Sequence, residues 1–155
     1  MVIGKLNFLE KSSRPELAYA VHQAARFSKS PKKSHTEHMH CIGQFLLGTR
    51  TEGIILDPKD PIFECYADAD FCGLWNKEMA ADNPSTARSR TGYLLTFAKC
   101  PIIWASKLQM EYSLSSTESE YIALSTVLRE VIPLIGLLDE FKKFGILKDN
   151  YIPKI

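Results

Sequence analysis

The chain has 155 residues, 45% of them hydrophobic and 24% charged, with a net charge of +1. That balance is the globular average and excludes a disordered chain, and a near-neutral total excludes a strongly basic nucleic-acid arm. No stretch reads as a membrane span, and "MVIGKLNFLEKSSRPEL" has charges inside its apolar run and no cleavage pattern, so an intracellular protein is the expectation.

Cys41, Cys65, Cys72 and Cys100 are scattered with no CxxC pair, so they read as small buried hydrophobes rather than as a disulfide or zinc framework. Charge is unevenly divided. Residues 1–60 hold nine Lys/Arg against six Asp/Glu, and residues 61–155 hold ten against twelve. A basic first part beside an acidic second part permits phosphate contact in one and metal binding in the other.

In chain order, "SSRPELAYAVHQAARFSKSP" predicts a helix with Ser12 or Ser13 as N-cap, Pro15 in the first turn, and Leu17, Val21, Ala24 and Ala25 on its apolar face. "KKSHTEHMHCIGQFLLGT" predicts a second, capped by Ser34 with Glu37 three residues on and stopped by Gly48. The two make a helical hairpin. Asp57-Pro58 and Asp60-Pro61 are turn signals that place a boundary near residue 60. "PIFECYAD" is β-rich, "NKEMAADNPSTARS" is a polar loop, and "RTGYLLTFAKCPIIWASK" predicts a hairpin with Pro101 opening its second arm. From Thr117 a long helix runs to Gly145, with Pro133 expected to kink or divide it. Three strands and then a long helix look like an unfinished α/β sheet; "LKDNYIPKI" resembles the approach to a further strand.

Two acidic pairs stand out. Asp68 and Asp70 share a strand face with Tyr66, near Gly73. Glu118 and Glu120 each fit a capping box, from Ser115 and Thr117 respectively, and only one register can be occupied. Glu120 aligns with Ala123, Leu124, Val127 and Val131, the face that would lie on a sheet, so Glu118 is assigned to capping and Glu120 to a site. Plainer readings stand beside these: acids at a strand end face water, and His35, His38 and His40 before Cys41 form a polar helix face rather than a zinc site.

"YADADFCG", "RTGYLLTFAKCPIIWASKLQ" and "LSSTESEYIALS" contain, in order, Y-x-D-A-D-[WF]-x-G, [ST]-G-Y, I-x-W-x-S-K-x-Q and S-[ST]-T-E-x-E-Y-x-A. This series resembles the RNase H region of copia-type LTR-retrotransposon pol polyproteins. Arg14-Pro15, Ala20-Val21, Ala25-Arg26-Phe27, His35 and Gly48-Thr49 are similar to the end of the reverse transcriptase just upstream. The resemblance implies that residues 1–60 are the helical C-terminal (thumb- or connection-like) end of a reverse transcriptase. It implies that 61–155 are the N-terminal part of an RNase H domain, a partial RNase H-like α/β fold: a three-stranded antiparallel start of a mixed sheet plus a long helix. It also implies a Mg²⁺-dependent, two-metal hydrolase for the RNA strand of RNA–DNA hybrids, with Asp68 and Glu120 as catalytic and metal-binding carboxylates and Asp70 and Glu118 as runners-up. Weaker nucleic-acid contacts are assigned to Arg26, Lys29, Lys32, Lys33, Arg88, Arg90 and Thr91. Partners would be the hybrid and the rest of the polyprotein, including integrase, in a cytoplasmic virus-like particle or the nucleus, with no membrane.

The pattern departs from the family in two ways. The polymerase motif Y-x-D-D is absent. The family's third aspartate, in D-N-x-[SG]-A, has no match, since Asp149-Asn150 is followed by Tyr151-Ile152-Pro153 and reads as a polar turn. The expectation is therefore a domain truncated before its third carboxylate and inactive alone. The alternative is a non-catalytic, nucleic-acid-binding or degenerate remnant.

Overall fold

The computed structural model describes residues 2–78 and 80–147, and the backbone of 152–154. Asp149-Asn150 lies outside the described residues. The chain divides into two compact units, Met1–Ile55 and Leu56–Ile155.

The first unit is helical: α1 Val2–Ser12, a 3₁₀ turn Pro15–Leu17, α2 Ala18–Arg26 and α3 Lys33–Gly48. The sequence reading predicted two helices and missed α1. Its core-facing positions are Leu6 and Glu10, one turn apart, and Leu6 joins Leu17, Val21, Ala24 and Ile42 in a single apolar cluster. Pro15 disfavours a helical residue before it, and Arg14 is indeed pulled out at φ −132°, which separates α1 from the next turn. Ser12 is therefore a helix end and not an N-cap; its hydroxyl donates to Phe8 O at 2.8 Å.

The buried Arg14 guanidinium ties this break down. It pairs with Glu16, donates through Nη1 to Thr49 O at 3.2 Å and through Nη2 to Thr49 Oγ1, and lies 5.6 Å from the Phe45 ring centroid. The start of α3 corrects the predicted cap. Lys32, not Ser34, is the N-cap, and His35 Nδ1 accepts its backbone N–H at 2.9 Å. His35 also stacks on Phe27 with centroids 4.1 Å apart, and His38 Nε2 lies 3.3 Å from Ala20 O. These two histidines thus make local contacts within the helical unit.

The second unit is a mixed sheet with order β3-β2-β1-β4, covered on one face by α4 Ser116–Lys143. β1 (Ile62–Asp70), β2 (Arg90–Phe97) and β3 (Cys100–Leu108) are antiparallel. The tail adds a short β4, Ile152–Lys154, parallel to β1 with Ile62 opposite Ile152. The reading of the tail as only an approach to a strand is corrected: a crossover through α4 returns the chain beside β1, as parallel pairing requires.

The β2–β3 hairpin closes on Ala98 and Lys99, both at positive φ (52° and 68°), the backbone of a two-residue turn that glycine or asparagine adopts more readily. Lys99 Nζ reaches back to both carboxylate oxygens of Glu64, at 2.9 and 2.7 Å, and this hydrogen bond raises its pKa.

Phe63, Leu95, Val127 and Val131 are fully buried between sheet and helix. Each such side chain contributes roughly 1.5–3 kcal/mol of transfer free energy. The helix end is a Schellman motif: Ile146 N–H donates to Phe141 O, Gly145 N–H donates to Lys142 O, and Gly145 sits at φ 70°.

Two expectations about α4 are corrected. Pro133 does not divide it: the helix runs on through this exposed position with one backbone bond missing. Being undivided, α4 is long and apolar enough to cross a membrane by length and composition, against the prediction that no segment is. Its apolar residues are spread around the helix: Val127 and Val131 pack on the sheet, while Tyr121, Ile132 and Leu137 are exposed.

Candidate functional site

Strand alternation sorts β1. Phe63 and Cys65 pack toward α4, and burial raises the Cys65 thiol pKa. Glu64, Tyr66, Asp68 and Asp70 share the opposite face. Asp68 is exposed and makes no hydrogen bond or ion pair among the described residues. Directly across from it on β2 is Gly92. A Cβ added there would meet nothing within 4 Å, and Gly92 is not among the positive-φ residues. Neither packing nor backbone strain demands glycine, so the bare position leaves open floor beside the Asp68 carboxylate.

Asp70 is differently placed. It stands opposite Arg90 at the strand end, and its carboxylate folds over Gly73 so closely that a Cβ on Gly73 would collide with it. The exposed carboxylate could rotate away to relieve that collision, so the contact favours glycine without requiring it.

At the head of α4, Ser115 is the N-cap and its Oγ accepts Glu118 N–H at 3.1 Å, while Glu118 Oε2 accepts Leu114 N–H at 2.6 Å. Glu118 is committed to the cap, as its spacing predicted. Glu120 is exposed, makes no hydrogen bond or ion pair among the described residues, and shares a shallow groove with Ala67, Thr117, Tyr121 and Leu124. The stripe argument needs one correction. The buried row of α4 is Ser119, Ala123, Val127 and Val131, so Ser119 heads it, Glu120 flanks it, and Leu124 is partly exposed.

Asp68 and Glu120 therefore lie on opposite faces of the sheet, Asp68 directed away from α4 and Glu120 on the α4 side, and the groove that Glu120 lines does not include Asp68. Ala67, beside Asp68 in the chain, lines the Glu120 groove. β4 pairs with β1 only as far as Glu64, so among the described residues no strand covers that flank of β1 at Ala67 and Asp68.

One buried side chain escaped the sequence reading. Gln109 is 4% exposed. Its Nε2 donates to Thr91 Oγ1 at 3.1 Å and to Ser119 O at 2.9 Å, its Oε1 accepts Ser113 Oγ–H at 2.9 Å, and its backbone N–H donates to Ser89 O at 2.9 Å. The signal was present, since Gln109 closes the I-x-W-x-S-K-x-Q segment, but a lone glutamine after a strand carries no periodicity to mark burial.

Several predicted nucleic-acid contacts fare differently. Thr91 and Arg90 are buried; Thr91 serves Gln109, and Arg90 Nη1 donates to Ser106 O and Oγ, both at 3.2 Å. Burial takes both out of reach of a surface ligand, which corrects that expectation. Arg88 is half-buried over the Tyr112 ring at 5.2 Å. Arg26 donates to Gln23 Oε1 at 2.8 Å and lies over Phe27, while Lys29, Lys32 and Lys33 are exposed between α2 and α3.

Carboxylate oxygens suit Mg²⁺, and exposure leaves room for the waters this ion retains. Among the described residues no group of three or more His, Cys, Asp or Glu is placed to hold a metal, so Asp68 and Glu120 could supply only part of a ligand set.

A helical unit and an α/β unit, the latter with Asp68 and Glu120 exposed and without a hydrogen bond or ion pair among the described residues, are what the coordinates define. The comparisons narrow that description. The chain is 37% identical over 150 residues to the retrovirus-related Pol polyprotein from transposon TNT 1-94 of Nicotiana tabacum, covering 97% of this chain and 10% of that protein. It is 32% identical over 140 residues to the corresponding polyprotein from transposon RE1 of Arabidopsis thaliana, covering 90% and 9%. It is also 30% identical over 131 residues to the secreted RxLR effector protein 161 of Plasmopara viticola, covering 84% and 86%. Most of the chain is thus similar to one segment of retrotransposon Pol polyproteins, and it spans about a tenth of the length of the polyproteins it matches. No family model and no solved structure matches it.

Proposed function

We propose that this chain is the piece of a copia-type Pol polyprotein that joins the end of the reverse transcriptase (residues 1–60) to the first part of an RNase H domain (residues 61–155). In the complete protein this second part hydrolyses the RNA strand of RNA–DNA hybrids. The observation that carries the reading is the division of labour among the four acids. Glu118 is taken up by the helix cap and the Asp70 carboxylate lies over Gly73, whereas Asp68 and Glu120 are exposed and make no hydrogen bond or ion pair among the described residues. Surface carboxylates left without partners beside apolar neighbours suit a ligand of positive charge. The order of three antiparallel strands, a long helix and a parallel return beside β1 supports the same reading. Continued in its register, β4 would run alongside Asp68, where the resemblance implies a third aspartate.

Asp68 and Glu120 would each offer carboxylate oxygens to Mg²⁺, and sharing one ion would require both side chains to reach the edge of β1 that no described strand covers. Bound there, Mg²⁺ polarises a phosphodiester and lowers the pKa of a coordinated water. Gly92 leaves room beside Asp68 for a sugar–phosphate backbone. RNA selection would rest on 2′-hydroxyls exposed in the wide minor groove of the hybrid. With half of the implied carboxylates, the chain alone should not cleave.

The test is incubation with a labelled RNA–DNA hybrid and Mg²⁺. No cutting above background is expected of the chain, and robust cutting abolished by Asp68→Asn would contradict the proposed inactivity. A second reading, a non-catalytic segment, is favoured by the Plasmopara viticola protein, most of whose length this segment covers. Mg²⁺ affinity unchanged by Asp68→Asn and Glu120→Gln together would decide for it.

A further inference from the structure

The buried side-chain amide of Gln109 joins three pieces of chain, β2 through Thr91, the loop before α4 through Ser113 and the first turn of α4 through Ser119, and its backbone N–H adds the loop before β2 at Ser89 O. Its chemistry is fully specified. Ser119 O can only accept, so Nε2 must face it, and Oε1 is then left to receive the Ser113 hydroxyl. Both amide hydrogens and one oxygen lone pair are engaged in a buried setting, where unmade bonds are costly. No apolar residue and no carboxylate can reproduce that pattern.

Ser119 immediately precedes Glu120. The Ser119 side chain is also held, its Oγ donating to Ser116 O at 2.6 Å. We propose that Gln109 is the positioning residue of the candidate site. By fixing the Ser119 carbonyl against β2 it sets the depth and rotation of the first turn of α4, and hence where the Glu120 carboxylate stands relative to Asp68. The inference rests on the metal-binding reading above. It adds that the family's Q-containing segment serves the site from within, through backbone placement, rather than by touching nucleic acid.

The experiment is a Mg²⁺ titration of the isotope-labelled chain, following the side-chain carboxyl carbons of Asp68 and Glu120 by NMR. In the parent chain both should shift with one midpoint; no response from either would overturn the metal reading and this inference with it. In Gln109→Met, with dispersed spectra showing a folded sheet, Glu120 should stop responding and the Asp68 midpoint should weaken at least tenfold. Glu120 titrating at the parent midpoint in folded Gln109→Met would overturn the inference while leaving the metal reading intact. Should that variant not fold, Thr91→Val removes one bond of the same node and is read by the same criterion, with a smaller weakening expected. Gln109→Asn, which keeps the chemistry but shortens the reach, should fail to restore Glu120 binding; full restoration would contradict a role in setting distance.

Discussion

The helical unit and the sheet unit each close on a buried polar side chain, but the two ties differ in charge. Arg14 holds the break between α1 and α2 to the end of α3 with a cation whose partner Glu16 is partly exposed. Gln109 holds the start of α4 to β2 with a neutral amide whose partners are themselves buried or backbone. A charge can be kept at a helix junction because water still reaches one of its partners. Between a sheet and a helix, desolvation makes a neutral and fully bonded group the cheaper solution. In both units the buried motif residues hold the fold. The motif acids Asp68 and Glu120, by contrast, are exposed and make no hydrogen bond or ion pair among the described residues.

The largest expected effect breaks the sheet unit directly. Phe63→Ala empties the centre of the apolar cluster and should cost about 3–5 kcal/mol in urea or thermal unfolding followed by circular dichroism.

Next comes the neutral tie. Gln109→Glu keeps the shape but turns an acceptor toward Ser119 O, at about 1–3 kcal/mol for the bond lost, while the Thr91 hydroxyl can rotate to donate. The new carboxyl, buried against an acceptor, should have a folded pKa above its unfolded value of ~4.3. The variant's deficit should therefore be smallest below that pH and grow as pH rises through the folded pKa. Gln109→Met should show no such pH dependence.

The charged tie follows. Arg14→Met should cost roughly 1.5–3 kcal/mol by the same measurement, because bonds to a charged group are lost at Thr49.

A pH effect of the sheet unit ranks lower. Burial raises the pKa of Cys65 and of Tyr93, the latter also under the Glu130 charge, and Glu64 raises that of Lys99. All three folded values lie above the ordinary 9.0, 10.0 and 10.5, so their contributions are complete below about pH 9 and are lost as pH rises through the folded values. A thermal midpoint that begins to fall near pH 9 is expected.

The smallest change should be a gain. Ala98→Gly relieves a left-handed residue in the hairpin turn and should add about 0.5–1 kcal/mol.

Local signals were the legible ones. The Ser115–Glu118 cap, the Gly145 stop and the β2–β3 hairpin depend on residues a few positions apart, and the sequence shows them. α1 was missed because its helix is supported by contacts to Leu17, Val21 and Ile42, distant in the chain. β4 was missed because its pairing to β1 depends on a crossover of the whole of α4. The assignment of Glu118 to the cap was readable because capping is local. That Thr91 is buried and Gln109 central was not, since a polar residue in or after a strand does not announce which face it takes.

The most direct test is a crystal of the chain soaked in MnCl₂ and examined by anomalous scattering. A peak within about 2.0–2.3 Å of carboxylate oxygens of both Asp68 and Glu120 is predicted. Full occupancy of a cation elsewhere, with nothing bridging these two side chains, would contradict the account.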